Sequence, residues 1–161
     1  MAFVGQGTGA ALVRHPIENY FPKLRLSDYE ITSQKSGTYN CIAWAAGQTD
    51  RWWWPDPFDL YFWPQGAQRR EALEAYAQAF SELGYVLCQT GDLEPGFEKV
   101  AIYADAIGRP THAARQLPNG KWTSKLGNLE DIEHGTLDCL SGSSYGSVAL
   151  FLRRCSQNQA G

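Results

Sequence analysis

Cys41 follows an asparagine in the stretch TYNCIAWAAG and leads an apolar run, which places its thiol on the first turn of a short helix. Unpaired backbone N–H groups and the positive end of the helix dipole stabilise a thiolate there, and a stabilised thiolate is a nucleophile. Thr38 or Asn40 can cap this helix through a side-chain oxygen, and Gly47 suits its exit. The thiol then needs a general base, and the chain holds His15, His112 and His134. His15 falls in an irregular N-terminal segment and His134 at the end of a short predicted helix. His112 is second in a predicted strand, where a sheet can hold an imidazole rigidly against a facing helix end. The expected dyad is therefore Cys41 with His112. A pairing of Cys139 with His134 lacks a helix start to present the thiol. Against any dyad stands the ordinary fate of such residues, since free cysteine is among the most buried residue types.

A third polar group has to orient the imidazole. Pro118, Asn119 and Gly120 suit a three-residue hairpin loop, a type I turn closed by a glycine in the left-handed region. That register pairs Leu117 with Lys121 and sets Ala114 opposite Ser124 and His112 opposite Leu126, so Ser124 shares a face with His112 on the diagonal. Ser124 is the expected third residue, with Gln116, Asn128 and Asp131 as fallbacks.

The elements that must position these groups follow from periodicity. Apolar Leu73, Tyr76, Ala77, Phe80 and Leu83 recur at helical spacing and predict an amphipathic helix from Ala67 to Leu83, ended by Gly84. Tyr85–Cys88, Lys99–Ala104, Thr111–Leu117, Lys121–Leu126 and Ser147–Arg153 read as strands, the last four as a mostly antiparallel sheet. Asn128 can cap a short helix over NLEDIEH with Asp131 at its third position. Three prolines and four tryptophans in DRWWWPDPFDLYFWPQG forbid a long helix and make an aromatic loop, which either plugs the core or lines a groove. The predicted fold class is α+β, with residues 1–35 an irregular lead-in, 36–155 a single domain and 156–161 a tail. GQGTG at Gly5–Gly9 lacks the strand and helix of a phosphate loop and reads as a flexible terminus.

Composition narrows the function classes. With 161 residues, 43% hydrophobic and 19% charged, the chain is ordinary globular material able to bury a core without disulfides. A net charge of −3 supplies no basic stripe for phosphates, so nucleic acid is not an expected partner. No basic leader with an apolar run and no membrane span is read, so the expected compartment is the cytoplasm, or export by a route without a cleavable signal. Cys41, Cys88, Cys139 and Cys155 form no CxxC pair, and free thiols are expected. No metal-ligand spacing or dinucleotide fingerprint appears, so no cofactor is expected.

The order of a cysteine opening a helix, followed by a strand meander with histidine near the start of the second strand, resembles the papain-like cysteine hydrolases, particularly the NlpC-type and CHAP amidases. YNCIAWA resembles their Asn-Cys helix start, and HAARQLPNGKWTSKLG resembles their histidine strand, hairpin and next strand, with Ser124 where papain-like enzymes carry asparagine. YNCIAWAAG, RWWWP and THAARQLPNG with WTSKLG also resemble the pattern of a bacterial family of unknown function spanning Tyr39 to Arg153. The resemblance implies a papain-like fold and thiol acyl transfer. In it Cys41 attacks an amide carbonyl, His112 hands the proton to the leaving amine, and water releases the thioester. It also implies an oxyanion site at the Cys41 backbone N–H with the Asn40 or Tyr39 side chain, and a groove walled by Trp52, Trp53 and Trp54. Substrates would be peptide or protein amides, including peptidoglycan stems and glutamine side chains. Hydrolase, deamidase and transglutaminase chemistry share this acyl-enzyme, and the oligomeric state is open. A non-catalytic interaction module, using the tryptophan-rich loop on the same scaffold, is the alternative.

Overall fold

A computed structural model of the chain describes residues 14–156. The Gly5–Gly9 reading lies outside them. Among the described residues seven strands form one sheet: β1 (Tyr29–Ile31), β2 (Val86–Cys88), β3 (Phe97–Ala104), β4 (Pro110–Gln116), β5 (Trp122–Lys125), β6 (Asp131–His134) and β7 (Ser147–Cys155). Their spatial order is β1-β6-β5-β4-β3-β7-β2, and every neighbouring pair is antiparallel. The class is α+β, dominated by this sheet.

Side-chain alternation divides the core into two clusters, one on each face of the sheet. Val100, Ile102, Ala113 and Leu152 pack under the helices α1 (Cys41–Ala45) and α2 (Leu73–Ser81) and the buried rings of the aromatic loop. Ala101, Tyr103, Ala114, Trp122 and Ile132 face the other way, against Ile17, Phe21, Leu24, Cys139 and Leu140 from three short 3₁₀ turns. The N-terminal segment from Arg14 onward thus supplies core residues, and an edge strand whose Tyr29 lies opposite His134.

The hairpin forms in the expected register: Leu117 N–H donates to the Lys121 carbonyl at 2.7 Å, and Gly120 sits at φ 88°. Two expectations change. NLEDIEH does not form a helix; Asp131–His134 is a strand between β1 and β5. Ladder partners on both sides satisfy its backbone, and alternation buries Ile132 and His134 together, which outweighs the local capping signal at Asn128. The long helix begins at Leu73 rather than Ala67. Arg69 is drawn away to the Asp56 and Tyr61 carbonyls and to the Asp56 and Asp59 carboxylates, and the Gln68 carbonyl accepts from Trp63 Nε1.

Ile102 is fully buried beneath α1, whereas Leu87, on edge strand β2, is 62% exposed. Ile102→Ala is expected to cost about 2–5 kcal/mol in chemical denaturation, and Leu87→Ala no more than about 0.5 kcal/mol. Equal losses would contradict the layer assignment.

Candidate active site

Helix α1 begins at Cys41 because Asn40 caps it. Asn40 Oδ1 accepts from Ala43 N–H at 3.2 Å and from Trp53 N–H at 3.1 Å, while its Nδ2 donates to the Trp53 carbonyl at 2.7 Å. One buried amide thus ties the helix start to the aromatic loop. The helix then lies close on β4 and β5, where alanines on both sides (Ala43, Ala45, Ala113) allow the approach. Trp44 reaches across to donate from Nε1 to Thr123 Oγ1 at 3.0 Å.

Beneath the helix start the sheet opens. The β4–β5 ladder comprises Gln116–Trp122 and Arg115–Thr123, and Ala113 and Lys125 do not continue it. Leu117 directs its N–H toward β5, so by alternation Arg115 and Ala113 do too. The Ala113 N–H therefore has no place in the β4–β5 ladder and lies near Cys41 Sγ, as do the N–H groups of Ile42 and Cys41 itself. Burial is the largest influence on this thiol and pushes it up to about 11, against the opposing pull of these donors and of the Lys125 charge.

His112 leaves β4 on the other face. Its ring stacks on Tyr145 at 4.1 Å and meets the edge of Tyr103 at 5.2 Å. His112 Nε2 and Ser124 Oγ are 3.0 Å apart, so the predicted diagonal contact is made. Sequence reasoning missed the next member: Ser124 Oγ is also 2.8 Å from His134 Nε2, and His134 Nδ1 is 2.8 Å from the Thr136 carbonyl. Alternation over residues 131–134, read as a strand, would have exposed it. Both imidazoles are fully buried, and burial holds both below the ordinary histidine range, His134 at about 4.

The expected dyad is not hydrogen-bonded. Cys41 approaches β4 from the helix side and His112 projects from the opposite side, and His112 Nδ1 has no hydrogen-bond partner among the described residues. The expected oxyanion donors are also engaged elsewhere: Asn40 as described, and Tyr39 through its hydroxyl to Asp131 at 2.8 and 3.1 Å. Asp131 itself lies on the α1 face, near buried Lys125, whose Nζ donates to the Ser36 and Gly127 carbonyls. Among the fallbacks, Gln116 Nε2 donates to the Gly91 carbonyl, away from His112. In the aromatic loop Trp53 is core and Trp52 and Trp54 are half-buried, so the three do not form an open wall. The exposed large apolar side chains are Phe58, Leu60 and Tyr61, a few residues further on.

The buried imidazoles make stability acid-sensitive. The unfolded chain takes up a proton near the ordinary histidine value of 6.5, whereas folded His134 resists it down to about 4. Stability is therefore complete above pH 6.5 and is lost as pH falls through that window, by roughly 3 kcal/mol for His134. The denaturant midpoint of wild type is expected to drop further than that of His134→Gln between pH 7 and about pH 4.5. Equal drops would show that His134 does not contribute.

A family profile described as a domain of unknown function (DUF7689) matches residues 30–153. No curated protein and no solved structure matches the chain. The matched span takes in most of β1, both helices, the seam between β4 and β5 and nearly all of β7, and the chain belongs to the DUF7689 family.

Proposed function

We propose that the protein is a thiol acyl-transfer enzyme on a papain-like scaffold, with Cys41 as nucleophile and His112 as base. The observation that carries this reading is the open seam between β4 and β5. The Ala113 N–H, freed from the ladder, faces Cys41 Sγ, and the adjacent residue is His112, anchored by Ser124 with Nδ1 unpartnered. Catalytic contacts in ligand-free structures are often longer than in the working complex, and this reading requires the seam to let Sγ and Nδ1 meet when substrate binds. Cys41 then adds to an amide carbonyl, its proton passes through Nδ1 to the leaving amine, and water hydrolyses the thioester. With Asn40 and Tyr39 engaged, the backbone N–H of Cys41 is the remaining oxyanion donor of the expected set.

A peptidyl electrophile that depends on thiol attack separates this reading from a merely buried cysteine. Mass spectrometry of the folded protein is expected to find Cys41 labelled, and His112→Ala is expected to slow labelling by at least about 100-fold, the range of general-base contributions. Labelling confined to exposed Cys155 and half-exposed Cys88 would overturn the proposal.

One observation favours an interaction module instead. Asp56 Oδ atoms accept from the N–H groups of Phe58, Leu60 and Tyr61, Arg69 clamps the same loop, and Asp59 holds φ 58°. This tight scaffold presents Phe58 and Leu60 at 80% and 73% exposure, an apolar tip whose ordering cost on binding is already met. The partner would be a protein with an apolar recess. A photo-crosslinker at Phe58 is expected to trap a discrete adduct in cells expressing the protein, with none from the isolated exposed Ile107. Equal trapping at both positions would remove this reading.

A further inference from the structure

We propose that His134 is a positioning residue for His112. Through Ser124 it decides which nitrogen of the His112 ring carries the proton, and it leaves Nδ1 as the lone-pair nitrogen. The inference rests on the thiol-enzyme reading for its catalytic consequence, whereas the proton arrangement follows from the hydrogen bonds themselves.

The chain of bonds has a single starting direction. The Thr136 carbonyl can only accept, so His134 Nδ1, at 2.8 Å, carries hydrogen. His134 is fully buried with no carboxylate bonded to its ring among the described residues, so the ring is neutral and Nε2 holds a lone pair. Ser124 has one hydroxyl hydrogen, and the 2.8 Å contact to His134 Nε2 takes it. Ser124 Oγ therefore meets His112 with lone pairs alone, and the 3.0 Å contact requires a hydrogen on His112 Nε2. A neutral His112 then has no proton on Nδ1, the atom without a partner. Stacking on Tyr145 and the edge contact with Tyr103 hold the ring plane.

Two buried histidines in one chain are thus opposite tautomers, His134 protonated on Nδ1 and His112 on Nε2. The assignment also rules out His134 as a base for Cys139. Cys139 Sγ lies 3.6 Å from His134 Nδ1, but that nitrogen already bears hydrogen, and the thiol donates to the Thr136 carbonyl at 3.0 Å. If His134 loses its acceptor, the Ser124 hydroxyl turns to His112 Nε2 and the His112 proton must move to Nδ1. His112 would then present a donor where a base is needed.

Long-range ¹H–¹⁵N correlation spectra of the full chain read imidazole tautomers directly. Wild type is expected to show His112 as the Nε2–H form and His134 as the Nδ1–H form. His134→Leu is expected to convert His112 to the Nδ1–H form, while His134→Gln, whose amide oxygen can accept from Ser124, retains Nε2–H. A wild-type His112 in the Nδ1–H form, or a His112 unchanged in His134→Leu, would overturn the proposal. If the leucine variant does not fold, His134→Ala, which also removes the acceptor, takes its place, and a wild-type His112 in the Nδ1–H form still overturns the proposal. Cys41 labelling by the peptidyl electrophile is expected to fall at least tenfold in His134→Leu and to recover in His134→Gln. Tautomers as stated, with no labelling of Cys41 in wild type, would sink the enzyme reading and uphold the proton arrangement.

Discussion

The backbone N–H of Ala113 is the group on which this architecture turns. An amide hydrogen inside a sheet ordinarily belongs to the neighbouring strand, and a buried one without a partner is costly. Here β4 and β5 part after Arg115–Thr123, and the Ala113 N–H lies against the sulfur of Cys41. The helix must therefore start at Cys41 and must lie close, which alanine at positions 43, 45 and 113 permits. The opening in the sheet, the position of the thiol and the small residues under the helix are parts of one constraint.

The two faces of the seam differ in how they handle polarity. On the helix side, Lys125 is fully buried, with its ammonium on the Ser36 and Gly127 carbonyls and over the Tyr39 ring, while Tyr39 donates to Asp131. Burial lowers the Lys125 value and raises that of Asp131, each toward its neutral form, as expected of charges removed from water. On the other side the polar groups are two neutral imidazoles and a hydroxyl. A chain of neutral donors and acceptors is satisfied without desolvating an ion, so it can sit among Tyr103, Tyr145 and Trp122 at little cost.

The aromatic loop joins these parts. Asn40 binds both the backbone of Trp53 and the first turn of α1, so the loop and the thiol are fixed by the same amide. Beyond Trp53 the loop is held by Asp56 and Arg69, and the large apolar side chains it offers to solvent are Phe58, Leu60 and Tyr61. Burying Trp53 and Trp63 and exposing the apolar residues between them makes this loop a rigid extension of the core.

Short-range chemistry was legible in the sequence. The Asn40 cap, the helix start at Cys41 and the Pro118–Gly120 turn depend on neighbouring residues, and the turn alone determined the register that brings Ser124 to His112. Alternation determined that Ser124 and His112 share a face. What tertiary structure alone decided is the meaning of residues whose partners lie far along the chain. Asp131–His134 became a strand because β1 and β5 were there to pair with it, and only then did His134 reach Ser124. Tyr39 and Asn40, available as oxyanion donors by local chemistry, were claimed by Asp131 and Trp53. Hydrogen-bond donors are shared out by the whole fold, and a sequence pattern names the donor but not its acceptor.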